Sequence, residues 1–438
     1  MPGPCVANSQ QTSPLPYLRT SRVRLFFSAG LMAMGALLAT LAYGTAQAQE
    51  VIRVATYNAS LYREKAGGLR QALQDDSNQA AAIAAVIQRV RPQLLLINEF
   101  DYDPEAAQLF MSRYLERAQP KGGEAIHYPH HFIAPSNTGV PSGIDLDRDG
   151  RIGGGNDALG FGQFPGQYGM LVLSMYNFDQ ENLRSFRRVL WKDMPNNLLP
   201  PGWYTDEALR ILPLSSKSHW DLPIRLPNAT GTGTVHFLVS HPTPPGFDGP
   251  EDRNGRRNHD EIRLWADYIT GGAAADYLVD DQGKRGGLPI GESFVIAGDL
   301  NADPADGGSR SGAIAQLLEH PTVNSGAAKG LLAPRSKGAA EAAARQGGQN
   351  LTQQGDAALD TADFSEGPRG IGNLRVDYVL ASKDLTVCRS GVFWPASDDP
   401  DFVLVNDDPK MSSDHRLVWL DIALPGKACP SPSDVVAE

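Results

Sequence analysis

Cysteine is scarce in this sequence: its 438 residues contain three, Cys5, Cys388 and Cys429. That excludes a disulfide-stapled miniprotein and any zinc scaffold built on several thiolates. Positive charge is short as well. Lys and Arg number 39 against 50 Asp and Glu, for a formal net charge of −11. A protein that coats nucleic acid by bulk charge needs an excess of cations along its contact surface, so that class is excluded. With Gly at 45 and Pro at 32, the chain stays below the combined fraction of about 25–30% that marks low-complexity sequences. Its 41% of hydrophobic residues suffices to build a core. Past the N-terminus there is no long apolar run, no internal repeat and no dividing linker, which predicts one large domain.

The one long apolar run, Leu25 to about Tyr43, follows Arg19, Arg22 and Arg24 and precedes Thr45-Ala46-Gln47-Ala48. A basic start, an apolar stretch and a small-x-small site predict a secretory signal peptide over residues 1–48, cut before Gln49. The run approaches the length of a membrane span, so an uncleaved anchor is the competing reading. Cleavage removes three Arg and no acid, leaving 36 cations against 50 acids, a balance of −14. It also removes Cys5. Cys388 and Cys429 then form an even pair in an oxidising compartment, where a disulfide holding the tail 426–438 is expected, with two unpaired thiols as the alternative.

What remains alternates between strand and helix. Val51–Tyr57, Leu94–Ile97, Gly169–Leu173, Val235–Ser240, Phe294–Ala297, Val376–Leu380 and Leu417–Ile422 are short apolar runs of strand character. Gln79–Val90 carries Ile83, Val86, Ile87 and Val90 at helical spacing, and Asp260–Ile269 does the same with Ile262, Trp265, Ala266 and Ile269. Two insertions interrupt the pattern. Pro135–Gln167 is Gly-rich and acidic, and Gly326–Asn350 is rich in Ala and Gly, either a short helix or a mobile surface segment. Several strands end in a polar residue capable of chemistry: Asn58, Glu99, His241, Asp299 and Asn301. Functional groups above a rigid sheet are the usual way an α/β scaffold presents a site.

Five motifs carry the chemistry: Thr56-Tyr57-Asn58, Asn98-Glu99-Phe100, Ser240-His241-Pro242, Gly298-Asp299-Leu300-Asn301-Ala302-Asp303-Pro304, and Arg375-Val376-Asp377-Tyr378 with Ser412-Ser413-Asp414-His415. In that order they resemble the endonuclease/exonuclease/phosphatase superfamily, the DNase I-like metal-dependent phosphoesterases, over about residues 50 to 424. The resemblance implies an α/β (α+β) fold, a DNase I-like four-layer α/β/β/α sandwich spanning residues 49–425. It also implies hydrolysis of phosphodiester bonds with Mg²⁺, or Mn²⁺, as cofactor.

The residue types suit that chemistry. Mg²⁺ takes oxygen ligands and usually only one or two carboxylates. Glu99 is the best direct ligand, because a lone carboxylate ending an apolar strand is costly without a partner; Asn58 is a neutral ligand or orienter beside it. Asp299 and Asn301 are two apart, so on an extended segment they point to the same side. By the resemblance, Asp299 handles a proton, Asn301 stabilises the pentacovalent transition state, and Asp414 is a further metal-side carboxylate. Asp377 paired with His415 would fix the imidazole tautomer and raise its pKa, as general acid–base catalysis requires. His241 resembles a histidine that contacts phosphate or protonates the leaving group, with a rigid Pro-rich turn as the bland alternative. Tyr168 lies where some members place a phosphate-contacting tyrosine; ordinary loop packing is the alternative. Arg256, Arg257 and Arg263 either meet an anionic substrate or form a solvated helix face.

Asp145-Leu146-Asp147-Arg148-Asp149-Gly150-Arg151-Ile152 departs from that pattern. It matches the first eight positions of an EF-hand-type loop, with Asp145, Asp147, Asp149, Arg151 and Asn156 as the candidate calcium set. Asn156 stands where the bidentate Glu belongs, which weakens the site. A structural Ca²⁺ ordering the insertion is the expectation, against a plain acidic turn. For substrate, a secreted nuclease acting on nucleic acid is the leading reading. A phospholipid or sugar-phosphate phosphoesterase is second, with Trp191, Trp203 and Trp220 the only candidates for membrane docking. A non-catalytic calcium-dependent binding protein is third. No protein partner is implied, and a monomer is expected.

Overall fold

The protein is described from a computed structural model over residues 51–228, 231–405, 411–424 and 426–430. The expected signal peptide, residues 1–48, and the tail beyond residue 430 lie outside the described residues. Eleven strands are described: β1 (Val51–Asn58), β2 (Leu94–Asn98), β3 (His130–Ile133), β4 (Met170–Ser174), β5 (Arg184–Ser185), β6 (His219–Asn228), β7 (Gly231–Ser240), β8 (Ser293–Asp299), β9 (Asp377–Ala381), β10 (Val387–Val392) and β11 (Val418–Ala423). One sheet has the order β10-β11-β1-β2-β4-β3 and the other β5-β6-β7-β8-β9.

The period-2 pattern of the second sheet separates two cores. Phe237 and Val239 of β7, Val295 and Ala297 of β8, and Val379 and Ala381 of β9 join the cluster that also holds the first sheet. Their neighbours Leu238, Phe294, Ile296, Tyr378 and Leu380 face the other way, onto Ile262, Trp265 and Ile269 of helix α2 (Arg253–Thr270). Helix α1 (Asn78–Val90) begins at a Ser77 cap that accepts a bond from the Ala80 amide. It adds Ile83, Val86, Ile87 and Val90 to the first cluster. Each such side chain contributes about 1.5–3 kcal/mol on burial. The layers are therefore helix, sheet, sheet, helix, the four-layer α/β sandwich expected.

All seven expected strands and both helices are present. α2 starts seven residues before the expected Asp260, because its first two turns are polar yet partly buried. β6 escapes a sequence reading because Pro223 and Pro227 interrupt it. They fit there because odd-numbered amides of β6 point away from β7: Arg225 donates to Asn177 O instead, at 3.0 Å. The insertion 326–350 is not a mobile segment. It contains helix α3 (Lys337–Gln346), and a Cβ on Gly338 would meet Trp394 O at 2.1 Å. Cys388, on β10, is bonded to Cys429, as expected of an even pair. Among the described residues, no helix is long and apolar enough to cross a membrane.

Candidate active site

Strand direction gathers the motifs at one edge. β1 runs parallel to β2 with Asn58 opposite Asn98, and β7 runs parallel to β8, so four strands end together. β9 is antiparallel to β8 with Asp377 opposite Asp299, and β11 is antiparallel to β1, which puts Asp377 at the start of β9 and His415 just before β11. Asn98, given no role from sequence, joins the two sheets. Its Oδ1 accepts from the Asp299 amide (3.1 Å) and Thr56 Oγ1 (3.3 Å), and its Nδ2 donates to Ser240 O (3.4 Å). Ser60, Glu99, Tyr168 and Asn301 all adopt left-handed backbone, with φ of 48°, 57°, 55° and 53°. For non-glycine residues this costs about 1–3 kcal/mol each, and such strain concentrates at functional sites.

Asp299 is the hub. Its Oδ2 accepts from Asn58 Nδ2 (3.0 Å) and lies 3.4 Å from His241 Nε2 and 3.8 Å from His415 Nε2. Its Oδ1 accepts from the Asn301 amide (2.9 Å). Burial alone would raise its pKa, but the His415 and His241 imidazoles and the Asn58 amide outweigh that and hold it well below the usual carboxylate range. The two histidines flanking it are driven apart. Burial, helped by the Lys217 charge, pulls His241 down to about 4. Burial also opposes the His415 cation, but Asp377 and Asp299 overcome it and hold that imidazole well above its ordinary value. His415 Nδ1 is 2.9 Å from Asp377 Oδ2, which also accepts from Thr361 Oγ1 (2.8 Å). The Asp377–His415 pair expected from sequence is therefore formed. Opposite proton affinities on either side of one carboxylate are the arrangement that separates an acid from a hydrogen-bonding neutral group.

Asn301 departs from expectation. Asp299 ends β8, but the chain leaves the strand at once, and the left-handed Asn301 does not continue it. Its Nδ2 turns to Pro242 O (3.2 Å), beside His241. Alternation along a strand therefore does not explain this pair.

Glu99 is partly buried, and among the described residues its carboxylate accepts no hydrogen bond. Burial pushes it up to about 7, with Asp414 and Asp299 adding to the rise and His415 opposing it. An acceptor-only group without donors, close to two more carboxylates, is the donor set a hard divalent cation fits. Glu99, with Asp414, would hold the metal. Asp414 Oδ1 accepts from Ser60 Oγ (3.0 Å). Asn58 is engaged at both ends, donating to Asp299 and accepting from the Ser60 amide (3.2 Å), which makes it an orienter of Asp299. The cluster Asp299, Asp377 and His415, with ligand atoms within 4.8 Å of one another, is tied together by the Asp377–His415 bond and by the approach of His415 Nε2 to Asp299 Oδ2, and is a proton-handling group.

A cavity of about 570 Å³ opens beside this centre, lined by Glu99, His241, Tyr168 and the insertion residues Leu146, Asn156, Ala158 and Phe161. Tyr168 packs on Tyr62 with the rings tilted by 46° and their centroids 4.6 Å apart, and its amide donates to Asp101 (3.1 Å), a residue the motifs did not single out. Burial pushes its phenol up to about 12. Asp145, Asp147 and Asp149 converge within 4.8 Å, and Asn156 Nδ2 donates to Asp147 Oδ2 (2.8 Å). The Arg151 amide donates to Asp149 Oδ1 (2.8 Å).

The arginines of α2 are neither a substrate clamp nor a solvated face. Arg257 is buried and donates to Leu159 O, Pro213 O and Leu214 O, tying the insertion down. Arg256 donates to Glu251 O, and Arg263 pairs with Asp267. Trp191 and Trp220 are buried, and Trp203 donates to Leu146 O beneath Arg148, so none offers a docking surface. Sequence reasoning missed Lys217, which lines the cavity from a loop without any motif. Burial pulls its ammonium below the ordinary value, against the charges of Glu261, Glu99 and Asp299.

The Endonuclease/Exonuclease/phosphatase family model matches residues 55–415. No curated protein matches the sequence. Among solved structures, an endonuclease/exonuclease/phosphatase from Beutenbergia cavernae DSM 12333 is 17% identical, covers 86% of this chain and 72% of that one, and gives a TM-score of 0.46. Sphingomyelinase C from Streptomyces griseocarneus is 15% identical over 85% of this chain and 99% of that one, with a TM-score of 0.42. TDP2 from C. elegans is 14% identical over 90% and 82%, with a TM-score of 0.38.

Proposed function

The chain belongs to the endonuclease/exonuclease/phosphatase family and is a metal-dependent phosphoric ester hydrolase. From that premise we propose that it is an exported enzyme that uses Mg²⁺ or Mn²⁺ to cleave phosphodiester bonds. The observation that carries the reading is Asp299, a buried carboxylate that accepts from Asn58 Nδ2 and is flanked by His241 Nε2 at 3.4 Å and by the Asp377-bonded His415 at 3.8 Å. A cation bound at Glu99 and Asp414 would polarise the phosphoryl group. Asp299, fixed by Asn58 and the Asn301 amide, aligns the attacking water. His241 Nε2 and Asn301 contact phosphoryl oxygens, and His415, held cationic by Asp377, delivers a proton to the leaving oxygen. The new bond joins water oxygen to phosphorus, the ester P–O bond breaks, and the proton lost by water replaces the one given away.

Export is supported by the A-x-A site after the apolar run and by the Cys388–Cys429 bridge, a bond at home in oxidising compartments. A structural Ca²⁺ held by Asp145, Asp147 and Asp149, weak because Asn156 replaces the bidentate Glu, belongs to the same reading. The sequence put nucleic acid first among substrates; the cavity beside Glu99 favours the smaller esters. The test is hydrolysis of bis(p-nitrophenyl) phosphate with Mg²⁺, with Mn²⁺ and after chelation. Turnover that needs the metal and disappears in Glu99→Gln is the expected result; metal-independent turnover refutes the reading.

A further inference from the structure

The loop of residues 215–218, which leads into β6, is held rigidly although it carries no recognisable motif. Glu261, fully buried on α2, accepts from the Ser216 amide (2.6 Å) and Ser216 Oγ (2.8 Å) through one oxygen, and from the Thr243 amide (2.6 Å) through the other. One carboxylate thus fixes the chain next to Lys217 and the turn that follows His241. His219 bridges the same loop, Nδ1 to Ser215 Oγ and Nε2 to Glu261 O, both at 2.9 Å. The Asn137 amide donates to Lys217 O (3.0 Å), and Gly160 lies so close to the loop that a Cβ there would meet Ser216 O at 1.8 Å.

This frame presents one side chain without a partner. Lys217 is 5% exposed, lines the cavity with Glu99 and His241, and among the described residues its ammonium has neither a hydrogen bond nor an ion pair. A buried cation left unpaired is costly unless an anion completes it. Two other cations at the cavity are engaged: Arg253 with Glu251, and Arg257 with three carbonyls. The lining also includes Leu146, Ala158, Leu212 and Pro244, and two exposed aromatics stand in it, Phe161 at 54% on the insertion and Phe247 at 93% on the loop after His241. The volume falls within the range of about 300–1,000 Å³ typical of small-molecule sites. A duplex-binding surface instead needs a train of free cations matched to phosphates.

We propose that Lys217 is a phosphate-binding residue and that the cavity selects compact phosphoesters whose non-leaving group is apolar or aromatic. The inference rests on the phosphoesterase reading and deepens it. The ammonium meets a non-bridging phosphoryl oxygen next to His241, while Phe161, Tyr168 and Phe247 pack on the organic group that stays on phosphorus.

Two esters with the same leaving group separate these parts: bis(p-nitrophenyl) phosphate and methyl p-nitrophenyl phosphate, assayed with Mg²⁺ on the full chain, with plasmid DNA as the duplex arm. Lys217→Met should raise KM for both esters at least tenfold and weaken inhibition by inorganic phosphate by a similar factor. Lys217→Arg, which keeps the charge, should recover part of each effect, and Tm reports whether either variant folds. The double variant Phe161→Ser/Phe247→Ser should raise KM for the diaryl ester alone. Unchanged KM and phosphate inhibition in folded Lys217→Met would overturn the lysine assignment. Plasmid cleaved as efficiently as the diaryl ester, or equal losses for both esters in the double variant, would overturn the selectivity. If the wild type hydrolyses no ester, the phosphoesterase reading fails. Calorimetric titration with inorganic phosphate still judges Lys217: binding lost in Lys217→Met supports it, and equal or absent binding refutes it.

Discussion

Two groups of three ionisable side chains in this molecule have the same tightness and opposite physics. Asp299, Asp377 and His415 come from three distant segments, whereas Asp145, Asp147 and Asp149 come from a single turn; both sets bring ligand atoms within 4.8 Å. The first set is buried, and its carboxylates are met by side chains from distant segments: Asn58, His241 and Thr361. The second lies in a partly exposed loop and is satisfied from within its own insertion, Asp145 by the amides of Asp149 and Gly150, Asp149 by that of Arg151, and Asp147 by the Asp149 amide and Asn156 Nδ2. In the first, low local dielectric turns proximity into large changes of proton affinity. Closeness alone therefore does not make a reactive centre. Burial with incomplete, directional compensation does.

That contrast breaks first at the chemistry. His415→Ala should lower turnover of a phosphodiester by about 10²–10⁴-fold, the usual range for removing a general acid, and Glu99→Ala should abolish the metal-dependent rate; near-wild-type turnover in a folded variant refutes the contrast. Buried compensation should also show in stability. His219 is held neutral by burial, its pKa pulled down to about 4 from an unfolded value near 6.5. The unfolded chain then binds more protons between those values, so this contribution is complete above about pH 6.5 and is lost as pH falls toward 4. On the order of 3 kcal/mol is at stake. Urea unfolding at pH 7 and 4.5 reads it, and His219→Asn should flatten the dependence. Asp377→Asn keeps the shape but removes the charge that sustains the His415 cation. A loss in kcat of about tenfold to a hundredfold is expected, with the alkaline limb of the pH profile shifted downward; an unmoved limb assigns Asp377 a merely structural role. The exposed set should matter least. Asp147→Asn/Asp149→Asn should leave calcium-free activity within about twofold. In the wild type, Ca²⁺ at ten times its Kd should stabilise by about 1.4 kcal/mol, an increment the double variant lacks.

The legible parts of the molecule divide along the same line. β1, β2, β4, β8 and α1 were readable because each carries its own apolar periodicity. Glu99, Asp299 and His415 were readable because strand ends in a fixed order make a pattern. β6 was hidden by Pro223 and Pro227, whose tolerance depends on which side of the strand is paired, and the start of α2 was hidden by a polar run that the fold buries. Asn301 was placed on the right motif for the wrong geometric reason, since the chain turns left-handed where alternation was assumed.

By itself the sequence determined the main strands and helices and the ordered motifs, because these follow from local periodicity and spacing. Only the tertiary structure decided which histidine is neutral and which is charged, that Asn98 and Glu261 fix the loops around the centre, and that Lys217 faces the cavity unpaired. Those properties depend on burial and on partners scores of residues away, such as the Asp299 amide that Asn98 accepts from. No local pattern encodes either one.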